Sequence, residues 1–244
     1  MNAATAMQRV LSRRDQIFFD IDQSKAVGLE IGALDNPLIA GGTGKTYYAD
    51  YCSTEQLKLN HANTPTVNTD KIVNVDFVTG DRRLADVVPS SIRFDYIVAS
   101  HVAEHVPDII SWLQDLRTVL KPGGKVRLII PNKERCFDLR RSLTEECDLV
   151  AAFVEKRTRP SPIQVYDFYR WHERDGRLVH TPQQSLHMAQ MALTTYVDAH
   201  CWVFTPESFL IQISNLIAAG LSPFGLEFVT ESAAGEIDFF VGLH

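Results

Sequence analysis

Short apolar runs recur along the first half of the chain: AVGLEIG, TYYAD, KIVNVDF, RFDYIVAS and KVRLIIP. Each is rich in β-branched or aromatic residues and ends in turn formers, which reads as a strand. Segments of helical spacing lie between them. In PDIISWLQDLRTVLKPGG, the residues Ile109, Leu113, Leu116 and Leu120 fall on one face. That helix is expected to stop at Pro122-Gly123-Gly124, with Lys121 near its negative end. TEQLKLNHAN reads as another helix, capped by Ser53. Met7, Val10 and Leu11 predict a short leading helix. Strands that alternate with helices imply a parallel sheet covered on both faces.

The alternation breaks after KVRLIIP. Residues 132–204 read as a mostly helical insertion with joints at Pro160, Pro162 and Pro182. TPESFLIQISNLIAAG then returns to the main pattern. Thr205 sits at the cap, Pro206 in the first turn and Gly220 past the end. Phe209, Ile213, Leu216 and Ile217 make its buried stripe. GLEFVT and EIDFFVGLH close the chain as two strands with a short loop, which predicts an antiparallel hairpin. With 244 residues, 45% of them hydrophobic, residues 1–244 suit a single domain with one large core.

Several function classes are disfavoured. Gly44-Lys45-Thr46 resembles the end of a phosphate-binding loop, but the leading glycine of that motif falls on Ile39. YYADY, which follows, reads as a strand, whereas a phosphate cradle needs a helix N-terminus there. The glycines at 41, 42 and 44 are expected to shorten a crossover and turn the chain into the second strand. A net charge of −6 without a basic tract argues against a nucleic-acid surface. Cys52, Cys136, Cys147 and Cys201 are scattered, so neither a zinc knuckle nor a disulfide framework is expected. The first residues lack the apolar run of a signal peptide, and no window reaches a membrane span. A reducing cytoplasm fits these features.

The order of motifs in residues 26–131, with the final hairpin, resembles the class I S-adenosylmethionine-dependent methyltransferases. VGLEIGA looks like their first motif, Asp50 stands where the family has its ribose-binding acid, and NVDF resembles the segment at adenine. FDYIVASHVAEHV and LKPGGKVRLIIP look like the fourth strand and the helix-turn-strand after it. The resemblance implies a doubly wound, mostly parallel sheet of seven strands with an antiparallel C-terminal hairpin. It implies S-adenosyl-L-methionine as cofactor, met by Glu30, Gly32, Ala33, Asp50, Tyr51, Asp76, Phe77 and Ser100. Gly32 would admit the methionine part, and Glu30 would act through the cofactor's ammonium or the loop backbone. Asp50 would accept the ribose hydroxyls. Asp76 would accept from the adenine amino group, with Phe77 lining the ring. The chain departs from the family where Leu34 and Asn36 replace the second and third motif glycines. The first crossover helix is then expected to be truncated to NPLIAGG or replaced by a loop.

Transfer to a hydroxyl needs a base or a metal beside the fourth strand. SHVAEHV supplies His101, Glu104 and His105, which share a face if the segment is helical. The same segment resembles ubiquinone-pathway O-methyltransferases. It also resembles small-RNA 2′-O-methyltransferases, which bind a metal there, although His101 replaces their first Glu. His101, His105 and His200 are the candidate bases, with Asp198 and Trp202 near enough in sequence to orient His200. A divalent metal on His101, Glu104 and His105, with His200 as a fourth ligand, is the alternative. His180 and His187 are weaker candidates. The insertion carries Tyr166, Phe168, Tyr169, Trp171, His172, Tyr196 and Trp202, which suit a flat or sugar-like acceptor or the core of a helical cap. HCWVFTPESF resembles bacterial methyltransferases assigned to surface polysaccharides, so a small-molecule or glycan acceptor is expected. A homodimer, a cofactor-binding subunit without activity, and a nucleotide-sugar enzyme on a similar frame stay open.

Overall fold

The structure is a computed structural model that describes residues 13–39, 44–233 and 235–244. The predicted leading helix at residues 7–11, and Gly41 and Gly42, lie outside the described residues. Helix α1 (Arg13–Phe18) leads into strands β1 (Val27–Ile31) and β2 (Lys45–Asp50). Helix α2 (Thr54–Asn60) and strand β3 (Phe77–Val78) follow, then α3 (Leu84–Val87), β4 (Phe94–Ser100), α4 (Ile109–Val119) and β5 (Leu120–Pro131). The next elements are α5 (Glu146–Glu155), α6 (Pro162–Trp171), a small hairpin of β6 (Glu173–Arg174) and β7 (Arg177–Leu178), and α7 (Pro182–Met191). Helix α8 (Pro206–Ala218) precedes β8 (Leu226–Glu231) and β9 (Asp238–Leu243).

The main sheet has seven strands in the order β3-β2-β1-β4-β5-β9-β8. β1 pairs in parallel with β2 and β4, and β4 with β5. β9 runs antiparallel to both β5 and β8. The predicted doubly wound sheet with a terminal hairpin is therefore the observed one.

Strand alternation divides the core in two. Ile97 and Ala99 of β4 face a large cluster with Leu113, Leu116 and Phe209. Tyr96 and Val98 face the other way, onto Ile17, Phe18 and Ile39. On that second face no crossover helix stands between β1 and β2 among the described residues. Instead α1 and the loop ending at Ile39 cover Tyr96, Val98, Ile129 and Phe240. Each large apolar side chain buried this way contributes about 1.5–3 kcal/mol. Gly44 then lets the chain pass tightly into β2, since a Cβ there would lie 2.1 Å from the Gln23 carbonyl oxygen.

The helix caps follow the sequence. Ser53 accepts from the Gln56 N–H at the start of α2, and Thr205 and Ser208 cap each other's backbone at α8. Pro162, Pro182 and Pro206 each open a helix. Helix α4, capped by Asp108, ends at Val119, short of the expected Pro-Gly-Gly stop. Lys121 pairs with Asp95 at 2.8 Å, which draws this segment onto β4. β3 is shorter than KIVNVDF predicts, because Lys71 ends a 3₁₀ turn and Ile72 to Asp76 run as an irregular approach to the sheet.

The two ends of the 132–204 segment meet. Asn132 bridges Phe204, and the Lys133 N–H donates to the Phe204 carbonyl at 2.8 Å. All four cysteines are free thiols. Among the described residues no helix is long and apolar enough to cross a membrane.

Candidate active site

β2 and β3 lie to one side of β1, and β4 and β5 to the other. In an open parallel sheet the crevice at the carboxyl ends of such strands is where ligands bind. Gly32 turns the chain out of β1 with φ +70°, and a Cβ there would sit 2.7 Å from Val102 Cγ2. Its N–H donates to the Ala49 carbonyl at 3.0 Å, so the turn is tied to β2. Ala33 follows it and is buried.

Glu30 is 1% exposed. Its two oxygens accept from the N–H groups of Leu38 and Ile39 at 2.8 Å each. Burial pushes its pKa up, and the two amides offset only part of that. Glu30 therefore holds the loop that stands where a first crossover helix would be.

Asp50 ends β2 and is 8% exposed. One oxygen accepts from the Tyr51 N–H at 2.7 Å. Burial raises its pKa in spite of the amides of Tyr51 and Cys52. Tyr51 is exposed, and its hydroxyl accepts from Asn60 Nδ2 at 2.9 Å. Asp76 accepts from the Tyr48 N–H at 2.9 Å, and its own N–H donates back to Tyr48 at 2.8 Å. Half of its carboxylate is thus engaged with the edge of β2. The Phe77 ring packs into the core, stacked 5.4 Å from Tyr47. Ser100 ends β4 and is half-buried.

The chain leaves β4 through His101, whose φ is +54°. A single 3₁₀ turn, Ala103–His105, follows. The helical face expected for His101, Glu104 and His105 does not form. His101 Nε2 lies 3.2 Å from Asp238 Oδ2, and Arg13 pairs with the same carboxylate. His101 Nδ1 lies 3.4 Å from Glu104 Oε1.

His105 and His200 come together edge to face, with ring centroids 4.7 Å apart. The Nδ1 of His105 donates to Asp198 at 2.9 Å. The Nδ1 of His200 donates to Asp138 at 2.6 Å. A carboxylate on Nδ1 leaves the neutral ring with its lone pair on Nε2. Burial pulls the His105 pKa down, but Asp198, with Glu104 and Asp138 nearby, more than offsets it, and the net shift is upward. Burial alone would raise Asp138; His200 and Arg141 reverse that and hold it low. Arg141 also donates to the His200 carbonyl at 2.9 Å and pairs with Asp167 at 2.7 Å.

Glu104 is fully buried, and among the described residues neither carboxylate oxygen has a hydrogen-bond partner. A buried polar group left so costs about 1–3 kcal/mol. Ligand atoms of Glu104, His105 and His200 all lie within 4.8 Å of one another.

Aromatic rings wall this cluster. Phe137 lies 4.9 Å from His200 and stacks on His172 at 4.6 Å. Phe168 lies 5.4 Å from His200. His180 packs on Tyr169 at 5.0 Å, whereas His187 is exposed on α7. Trp202 belongs to the core and donates to the Val106 carbonyl at 2.6 Å. Tyr196 is exposed and donates to Asp198 at 3.3 Å.

Two partners differ from the sequence expectation. Asp198 orients His105 rather than His200, and Asp138 takes the His200 ring. Asp138 and Phe137, in the segment CFDLR, carry no local signal of this role, because the contact spans 62 residues of chain.

The sequence profile of the methyltransferase domain family matches residues 4–211. No curated protein matches by sequence. Among solved structures, one named as a zinc-dependent alcohol dehydrogenase from Rhodobacter sphaeroides is 14% identical, with a TM-score of 0.55, covering 96% of this chain and 90% of that one. An S-adenosylmethionine-dependent methyltransferase from Aquifex aeolicus is 13% identical, with a TM-score of 0.45, covering 95% of this chain and 88% of that one. The glycopeptide N-methyltransferase MtfA is 14% identical, with a TM-score of 0.48, covering 96% and 89%. The chain belongs to the methyltransferase domain family.

Its residues fit the S-adenosylmethionine that the sequence resemblance implies. Gly32 keeps the end of β1 free of a side chain, and β2 ends on a buried carboxylate with a raised pKa and room to accept from donors beyond the Tyr51 and Cys52 amides. Sugar hydroxyls supply such donors.

Proposed function

We propose that this enzyme methylates a hydroxyl of a small molecule or glycan, with the acceptor held beneath the 132–204 segment against His105 and His200. Asp50 holds the ribose hydroxyls of the cofactor, and the Gly32-Ala33 turn accepts its methionine part. Tyr51, Asp76 and Ser100 frame the remaining edge, and Phe77, expected to line the adenine, belongs instead to the core beside Tyr47. Bound S-adenosylmethionine supplies an electrophilic methyl carbon. The protein's own part is to position the acceptor and to remove its proton.

The observation that carries this reading is the pair of rings 4.7 Å apart, each with Nδ1 on its own carboxylate and Nε2 left as an acceptor. Phe137 and Phe168 present flat apolar faces beside it, which suit a ring or the apolar face of a sugar.

The test is turnover on a panel of hydroxylated small molecules and oligosaccharides, with mass spectrometry of the product. One methyl group is expected on oxygen. His200→Ala is expected to lower kcat by about 10²–10⁴-fold while S-adenosylhomocysteine affinity by calorimetry stays near wild type. A product methylated on nitrogen or carbon, or full turnover in His200→Ala, refutes the proposal.

A further inference from the structure

On the reading that the cleft beside His105 and His200 takes the acceptor, we infer that His172 and His180 form its recognition wall. This wall selects a neutral, sugar-like polyol over a flat apolar ring or an anion.

A closed circuit of side chains joins the four histidines. From His200 it runs through Phe137, at 4.9 Å, to His172, stacked on Phe137 at 4.6 Å. His172 lies 6.2 Å from His180, and His180 packs on Tyr169 at 5.0 Å. The Tyr169 hydroxyl donates to the Asp198 carbonyl at 3.4 Å, and the Asp198 carboxylate holds His105, whose ring meets His200 again. Phe168 touches Phe137, Tyr169, His172 and His200, so it stands within the circuit. Only two ring spacings separate His172 from His200, which is the reach of one or two sugar units.

The backbone fixes the outer pair. His172 ends α6, and its carbonyl accepts from the Val179 N–H at 3.0 Å. β6 and β7 pair between the two histidines and turn at Asp175-Gly176, both with positive φ. Glu173 of this hairpin pairs with Arg140, three residues past Phe137.

His172 and His180 are half-buried, and among the described residues neither ring nitrogen has a hydrogen-bond partner. A neutral imidazole offers one donor and one acceptor, as a hydroxyl does. Burial, with His180 and Arg174 nearby, pushes the His172 pKa down, so this ring is neutral at neutral pH. An anion would need charge that the cleft does not offer. Arg141, over the Phe168 ring at 5.6 Å, is already paired with Asp138 and Asp167. A flat apolar acceptor would stack on Phe137 or Phe168 and leave both imidazoles unpaired, which a site built to hydrogen-bond hydroxyls penalises. A sugar meets both demands, with its apolar face on the phenyl rings and its hydroxyls on the imidazoles.

The experiment uses the full chain saturated with S-adenosylhomocysteine. Saturation-transfer NMR titrations compare methyl glycosides of neutral hexoses and deoxyhexoses, the corresponding uronic acids, and simple phenols. The neutral glycosides are expected to bind tightest. His172→Ala and His180→Ala are each expected to weaken them about 3–10-fold, the loss of one neutral hydrogen bond. Phenol binding and S-adenosylhomocysteine affinity should not change. His172→Gln, which keeps a donor and an acceptor, is expected to recover part of the glycoside affinity, a rescue that a merely structural role would not give. If His172→Ala loses S-adenosylhomocysteine affinity, His180→Ala decides alone. Three outcomes overturn the inference: glycosides that do not bind, glycosides that bind no better than uronic acids or phenols, or wild-type glycoside affinity in a folded alanine variant. Glycoside binding that depends on both histidines, with the methyl group delivered to the nitrogen of an amino sugar, leaves the wall standing and removes only the hydroxyl reading.

Discussion

Gly32 shows how one backbone position serves both fold and site. Its φ of +70° lies where an L side chain is strained, and Val102 occupies the space a Cβ would need. Gly32→Ala is expected to cost about 1–2 kcal/mol from the backbone alone, plus the shift of Val102. Urea unfolding should show a lower midpoint at unchanged slope, and S-adenosylhomocysteine should bind more weakly. Wild-type affinity in that variant would place the cofactor elsewhere. Residues at strand ends such as Glu30, Gly32 and Asp50 are readable from sequence, because an apolar run followed by an acid or a glycine marks where a buried strand surfaces. Asp138 is not readable that way. Its role depends on a chain reversal that brings it to His200, and neither its spacing nor its neighbours record that reversal. His101 is the opposite case: its spacing implies a helical partnership that a positive φ abolishes.

Secondary elements are legible to the degree that local pattern and tertiary packing agree. The runs around β1, β4 and β5 are buried on both faces, so apolar continuity alone identifies them. KIVNVDF looks equally apolar but lies at the sheet edge, where Asp76 bonds to Tyr48 and only Phe77 and Val78 pair fully. The missing crossover helix leaves α1 to cover the second face, and a charged cluster fixes it there. Arg127 of β5 is 1% exposed and donates to Asp20, just past α1, at 2.9 Å, and pairs with Glu227 of β8 at 2.8 Å. Lys125 pairs with Asp20 as well. Burial would raise the Asp20 pKa, but Lys125 and Arg127 hold it down to about 2. A depressed carboxylate pKa stabilises the fold above its ordinary value, and that contribution is lost as pH falls toward 2. Asp20→Asn should therefore lower Tm near neutral pH, and the difference from wild type should shrink as pH drops from about 4 to about 2. A difference that stays constant across that range would falsify the role of the charge.

The crevice exists only when the ends of β1, β2 and β4 stand side by side, and these strands are far apart in sequence. The cofactor can then bind the native chain and not the unfolded one, so binding and folding are linked by mass action. At free S-adenosylhomocysteine about 100-fold above Kd, the linkage adds about 2.7 kcal/mol. For a domain of 244 residues each kcal/mol moves Tm by about 2–4 °C. A rise of about 5–10 °C is expected by calorimetric scanning at that ligand excess. Asp50→Ala should abolish most of the rise at the same ligand concentration, because it removes the carboxylate at the end of β2. Asp20→Asn provides the counterpart. Asp20 lies toward the amino ends of β1 and β5, opposite the crevice, so its substitution should lower the starting Tm and leave the ligand-dependent rise unchanged, as separated sites add. If Asp20→Asn erased the rise, or Asp50→Ala kept it, the cofactor would not sit at the carboxyl edge of the sheet.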